Sequence, residues 1–279
     1  RNPVWLCGGV ETDSPKGKVI AWSQPEIVLY DDDAYVRMSY PDLIEDNGQF
    51  FLTETQKDIA RVHEIDRALL EGLWKQLDNR TVATGGLLLD LPSEAGALPK
   101  SVATPALPAF TTAGTSLAGH ATKDLRGGFA VDLWVTCDVI SPSQVLLDSR
   151  TESGQGLCLQ TTSRSTIEII LNDGRGENRW DGDPGLLQAG RSHHVVANVE
   201  GGPKIITFIV DGRLCDGGDA RQFGWARFNP NLREVNGSKL LRIGPSLSGR
   251  IHHLRIYNRC LRTSEAVGNY RAGLRRQQP

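Results

Sequence analysis

The sequence predicts an all-β chain whose larger part is an antiparallel two-sheet sandwich of the jelly-roll kind, and three observations predict it. Short β-branched and aromatic runs recur a dozen or so times along the 279 residues. Between them stand hairpin dipeptides, Asn47-Gly48, Asp173-Gly174 and Asp211-Gly212, which supply the positive φ of tight turns. Thirty Gly and 14 Pro tilt the composition further toward strands joined by turns. The chain is 39% hydrophobic and 23% charged, and its 31 basic and 33 acidic side chains leave a net charge of −2. That balance excludes a disordered chain and a nucleic-acid-coating one. No apolar run approaches the roughly 18 residues of a membrane helix, and the leucine cluster at residues 87–89 stops at Asp90. No membrane span is expected.

In chain order, residues 4–6, 19–22 and 27–30 read as strands. Residues 43–44 and 50–52 flank the Asn47-Gly48 turn, and residues 59–65 form the next strand. Asp66 then caps a helix in which Leu69, Leu70, Leu73, Trp74 and Leu77 share one face, so this helix must dock on something. Residues 78–110 carry Gly85-Gly86, Pro92, Pro99, Pro105 and Pro108 and read as a proline-rich, packed linker. The sandwich is expected over 111–273. In its first strand Phe129, Val131, Leu133 and Val135 alternate onto one face, and further strands fall at 143–148, 157–161, 166–171, 193–199, 205–210, 239–243 and 251–257. A last helix starts at Thr263 with Glu265 in its first turn, and residues 274–279 form a polar tail. Arg1 stands first with no basic-then-apolar leader after it, which reads as the cut edge of a longer chain.

The stretches GGFAVDLWV, GRSHHVVANVEGG, ITFIVDGRLCDGG and SGRIHHLRIYNRCLRTSEAVGNYRAG, spread over 128–273, resemble the laminin-G-like, or concanavalin-A-like, jelly-roll modules. About half the chain is covered, and the closing motif is the most specific part. Ser192 stands where these modules usually carry tryptophan before the paired histidines. The N-terminal stretch, from WSQPEIVLYDDD through SYPDLIED to FFLTETQKDIARVHEI, resembles the closing blades of a sialidase-like glycoside hydrolase propeller. A blade takes roughly 40–50 residues, so residues 1–65 would hold about one and a half of them, and 1–77 is expected to be a partial propeller segment ending in its docking helix.

The resemblance implies a tyrosine nucleophile helped by a carboxylate, because a neutral phenol attacks an anionic sugar centre with less repulsion. Tyr40 sits in the matching position, with Asp42 or Glu54 as acid-base partners, and this chemistry is expected only in an intact propeller. The plain alternative has Tyr40 packing a strand end, Asp42 bonding a turn amide and Glu54 pairing with Lys57 or Arg61. The polar loop 172–183 offers a second candidate. Trp180 could stack on a sugar ring, as could Trp225, and Asp181 and Asp183 would line the same ligand site. Asp173, Asp181 and Asp183 offer hard oxygens to calcium, although Arg175 and Arg179 favour internal salt bridges over an ion cage. No cofactor is required.

His193-His194 and His252-His253 do not predict zinc, since adjacent strand residues point to opposite faces. The five cysteines contain no C-x-x-C pair, and an odd number leaves at least one thiol free or bonded outside the chain. Two short sequons, at Asn79 and Asn236, carry little weight. Residues 114–119 have one residue too many for a nucleophile elbow, Gly217-Gly218 lacks a following phosphate-loop lysine, and Arg271, Arg275 and Arg276 read as a solvated helix end. The expected function is a noncatalytic carbohydrate-binding or adhesive module of a secreted, extracellular or periplasmic, glycoside-hydrolase-like protein, with a glycan or glycosylated protein as partner. The alternatives are the C-terminal part of a sialidase-like exo-glycosidase and a protein-interaction module.

Overall fold

The computed structural model describes residues 2–31, 33–56, 58–93, 98–110 and 127–274. The N-terminal part contains two two-stranded sheets, β1 (Val4–Leu6) on β4 (Glu26–Leu29) and β2 (Gly9–Ser14) on β3 (Gly17–Trp22). A three-stranded meander follows, β5 (Ser39–Asp46), β6 (Gln49–Gln56) and β7 (Ile59–Ile65). Its first turn has Asn47 and Gly48 at φ 52° and 80°, the two positive values a two-residue hairpin needs. Strand β2 was not expected, because its sequence is mostly polar and it pairs only with β3.

Helix α1 (Arg67–Lys75) starts where Asp66 accepts a 2.9 Å hydrogen bond from the Ala68 N–H. Its Leu69, Leu70 and Leu73 close a small core with Val28, Leu29, Met38, Leu52 and Ile65. Trp74, expected on the same face, lies one residue round from Leu73 and meets Phe50 edge-on at 5.8 Å near the surface. Gln76 is buried instead, its amide bridging both backbone groups of Gln24.

Two antiparallel sheets face one another beyond this. The seven-stranded sheet runs β17 (Arg213–Leu214), β16 (Ile205–Val210), β15 (Ser192–Glu200), β10 (Gly128–Cys137), β20 (Gly249–Tyr257), β8 (Leu87–Pro92), with β18 (Ala226–Arg227) also on β16. The six-stranded sheet runs β14 (Glu177–Asp181), β13 (Ile167–Asn172), β12 (Gly156–Thr161), β11 (Val145–Asp148), β19 (Leu240–Ile243), β9 (Ser101–Ala103). The core between them takes Phe129, Leu133, Val195, Phe208 and Leu254 from the first sheet and Leu147, Leu159, Ile169 and Leu171 from the second.

The chain is all-β in its sheets, with only two helices among the described residues. The stretch expected as linker supplies an edge strand to each sheet; in β8 Leu89 and Leu91 pack on the main core in spite of the prolines around them, while Leu87, across a register shift, packs on the outer-face cluster. Residues 177–181, expected as loop, form edge strand β14, whose polar side chains suit an edge. The stretch 114–119 and residues 275–279 of the expected tail, with Arg275 and Arg276, lie outside the described residues, as does Lys57, while Leu274 closes the last helix.

Helix α2 (Thr263–Leu274) lies against the outer face of the seven-stranded sheet and joins it to the N-terminal part. The Glu26 carboxylate accepts from the Thr263 N–H at 3.0 Å, the Ser264 N–H at 2.9 Å and the Ser264 hydroxyl at 2.7 Å. Arg262 bonds Asp66, Arg271 donates to the Gln76 carbonyl at 2.7 Å, and the Leu214 N–H donates to Gln24 Oε1 at 3.1 Å. Because Leu73 is buried in the small core and stands against Gly8, Leu73→Ala should leave a cavity there and destabilise the N-terminal part by about 2–5 kcal/mol. Urea denaturation followed by tryptophan fluorescence would measure it.

Candidate functional site

The expected rim residues do come together, and Arg221 is what gathers them. Its guanidinium donates to Asp181 Oδ1 at 2.8 Å, to the Asp181 carbonyl at 2.6 Å and to Asp183 Oδ1 at 3.3 Å. Asp183 also accepts from the Asp216 and Gly217 N–H groups at 3.0 Å each, which fastens the 181–183 turn to the loop after β17. The same guanidinium lies 4.1 Å over the Trp180 ring, and the indole N–H donates to the Gly224 carbonyl at 3.0 Å. Trp180 also packs on the main core. One ring face is therefore covered and the nitrogen is taken, so Trp180 braces the loop and is not a free stacking surface.

Trp225, at the end of that loop, is the middle ring of an aromatic row. Its centroid lies 5.1 Å from Phe223 and 6.5 Å from Trp5 of β1, with interplanar angles of 30° and 40°. Phe223 is 48% exposed and the two tryptophans are half-buried. The row spans two parts of the chain, sandwich loop and N-terminal strand.

The three aspartates suggested for calcium are engaged within the protein. Asp173 caps its own turn, accepting from the Arg175 and Gly176 N–H groups at 3.0 Å each and from the Arg233 N–H at 3.4 Å. Burial works to raise its pKa, but those three donors win and hold it below the usual carboxylate range. Asp181 and Asp183 are held by Arg221, and no group of three or more metal-ligating side chains gathers among the described residues. The donor set does not form a calcium cage.

Tyr40, Asp42 and Glu54 are not assembled as a catalytic group. Tyr40 is 84% exposed at a bulge of β5 with φ 50°, whereas Glu54 on β6 is 1% exposed. Glu54 accepts from Arg61 at 3.1 Å and lies 3.6 Å from His63 Nε2. Asp42 is exposed, and among the described residues no hydrogen bond joins the three.

A cavity of about 660 Å³ opens elsewhere, on the outer face of the seven-stranded sheet beside the end of α2, lined among others by Trp134, Thr136, Ser192, His252, His253 and Arg255. Cross-strand register sets Arg255 opposite both Asp132 and Asp90. Asp132 is fully buried and takes hydrogen bonds from Arg255 at 3.3 Å and Asn269 at 2.8 Å, with His194 Nε2 at 3.1 Å. Burial would raise its pKa, yet His194, Arg255 and Asn269 together hold it low. Burial, reinforced by Arg255, lowers His253 despite its bond to Asp90, and burial together with Arg250 lowers His252. The cavity wall is thus close to charge-balanced.

The histidines each take a separate partner: His193 meets Asp211 at 2.8 Å, His194 meets Asp132, His252 meets the Thr136 hydroxyl at 2.8 Å and His253 meets Asp90. All five cysteines are free thiols. Both sequon amides are engaged, Asn79 donating to the Ser264 carbonyl at 3.3 Å and Asn236 to the Leu107 carbonyl at 2.8 Å. Sequence reasoning missed Arg221, Phe223 and Trp5. Only Phe223, two residues from Trp225, was open to view, since Arg221 lies forty residues from Asp181 and meets it only through the fold.

Because Trp180 braces its loop, Trp180→Ala should destabilise the sandwich by about 2 kcal/mol or more, through lost packing and the orphaned Gly224 carbonyl. Chemical denaturation would show it, and an unchanged midpoint would place the indole outside the fold's support.

Comparison with known proteins bears on the sandwich. Among solved structures, the CBM40 domain of the Ruminococcus gnavus IT-sialidase, bound to α2,3-sialyllactose, is 13% identical, covering 65% of this chain and 98% of its own with a TM-score of 0.43. A leech intramolecular trans-sialidase is 14% identical over 68% of this chain and 28% of its own, with a TM-score of 0.43. The Trypanosoma rangeli sialidase is 13% identical over 96% of this chain, with a TM-score of 0.42, and this chain spans 53% of its length. No curated protein sequence matches. The family model described as concanavalin A-like lectin/glucanases superfamily matches residues 111–266, more than half of the chain. The chain belongs to the concanavalin A-like lectin/glucanases superfamily.

Proposed function

We propose that this chain is a noncatalytic carbohydrate-binding module of a secreted glycoside-hydrolase-like protein. The observation that carries the reading is the aromatic row Phe223, Trp225 and Trp5, of which Phe223 is 48% exposed. Sugar rings present apolar C–H faces that pack on aromatic rings, while hydroxyls at their edges keep water or find polar groups. The Arg221 hub holds the loop from beneath, so the rings are ordered before any ligand arrives, which lowers the entropy lost on binding. Arg221 is already paired with two carboxylates, and that pairing favours a neutral glycan at this surface over an acidic one.

A second reading, the C-terminal part of a sialidase-like exo-glycosidase, rests on Tyr40. A bulky, exposed tyrosine at φ 50° is conformationally unusual, and such outliers cluster at functional sites. Its phenol would act only in the company of groups that the described residues do not bring to it.

Glycan-array screening followed by calorimetry tests the first reading. Phe223→Ala should weaken binding by about 1–2 kcal/mol, roughly five- to thirty-fold in Kd, with little change in melting temperature. Binding untouched by both Phe223→Ala and Trp225→Ala would move the ligand surface away from the row. Turnover of an aryl sialoside that disappears in Tyr40→Phe would establish the second reading.

A further inference from the structure

We propose that the join between the N-terminal strands and the sandwich is a proton-coupled latch, in which docking buries Glu26 and Glu200 together under the first turn of α2 and is favoured when the pair keeps a proton. Glu26, on β4, is 4% exposed and bonds the Thr263 and Ser264 groups. Glu200, at the end of β15, is 8% exposed. Two residues before it on the same strand face, Asn198 bonds both backbone groups of Leu261, which places Glu200 beside the chain that enters α2.

The other charged groups around the pair have partners of their own. Arg262 bonds Asp66, and Arg259 and Glu265 bond each other at 2.8 Å. Lys204, from the turn after β15, places its Nζ over the Phe110 and Phe228 rings at 5.5 Å and 5.9 Å. Among the described residues no salt bridge holds the buried Glu200 carboxyl, and the Glu26 carboxyl is close enough to repel it.

Burial, and then repulsion from Glu26, pushes Glu200 up to about 8, from an ordinary value of 4.5. Burial raises Glu26 as well, against the donors of α2 and the nearby Arg262. Undocking returns both carboxyls to water and to the ordinary range. Between about pH 4.5 and 8 the docked form accordingly holds more protons than the open one, so docking is fully favoured in acid and weakens as the pH rises toward 8. Since Trp5 arrives with the N-terminal strands, the latch also assembles the aromatic row; that consequence, but not the latch, rests on the glycan-binding reading.

Hydrogen exchange of the Thr263 and Ser264 amides reads the latch directly, because both donate to Glu26. After correction for intrinsic exchange, their protection should fall up to about tenfold per pH unit between roughly pH 6 and 8, while amides of β12 in the main core hold theirs. In Glu200→Gln, which stays neutral and removes the repulsion on Glu26, the slope should shrink well below that of the wild type and protection remain high. An equal slope in Glu200→Gln, a flat wild type, or a parallel fall at β12 would overturn the latch. Carboxyl carbon titration of the wild-type protein by NMR gives a second measurement independent of that variant's folding: a Glu200 midpoint well above the usual carboxylate range supports the latch, and one within that range overturns it. No glycan enters either experiment, so failure of the glycan-binding reading leaves their outcome unaffected.

Discussion

A carboxylate lent to a helix from a distant strand holds this molecule together. The residue preceding α2 is Arg262, whose side chain has no acceptor to offer the N–H groups of the first turn. Glu265 supplies half of a capping box by accepting from the Arg262 N–H at 2.9 Å. The other half comes from Glu26, nearly 240 residues away in sequence, whose two oxygens take the Thr263 and Ser264 N–H groups. Helix α2 is thus incompletely capped without β4, and Glu26, shut off from water in the docked form, depends on the donors of α2 to replace its hydration.

What α2 covers explains why so demanding an arrangement is retained. The outer face of the seven-stranded sheet carries a cross-strand row of Asp132, Arg255 and Asp90, an unusual content for the middle of a sheet. Charges there are tolerated because register sets each opposite its counter-charge and because Asn269 of α2 bonds Asp132 from above. His194 fills the neighbouring position, with its ring 5.0 Å from Trp134 and 5.8 Å from Tyr270, so the helix closes the polar row with an aromatic lid. The cavity beside it is the opening left where α2 ends.

Much of this was legible in the sequence, and the lapses have physical causes. Strands with one face in the core, such as β10 with Phe129, Val131, Leu133 and Val135, announce themselves by alternation, and the glycine-bearing turns and the Asp66 cap follow from local chemistry. Edge strands do not announce themselves: β14 reads ENRWD and β2 reads GVETDS, and nothing local separates them from loop. Strand β8 was concealed by the prolines around it although its leucines alternate. At the rim the residue types were visible and their roles were not. Whether an indole is free or braced depends on Arg221, and whether three aspartates converge depends on which amides and guanidinium groups reach them first, and both are settled by folding.

The way the two parts are joined also determines how the molecule would give under load. Tension drawing the N-terminal strands away from the sandwich passes along residues 76–86 toward β8, but α2 and the end of β20 hold that path at several points. Arg271 grips the Gln76 carbonyl, Asn79 the Ser264 carbonyl, Asn269 the Ala83 N–H and Tyr257 the Ala83 carbonyl. These bonds stand upstream of β8 and meet the force before its ladder with β20 does, so the join yields first while the sheets stay intact. Under such a load the chain would lengthen by opening its own neck, without surrendering the sandwich.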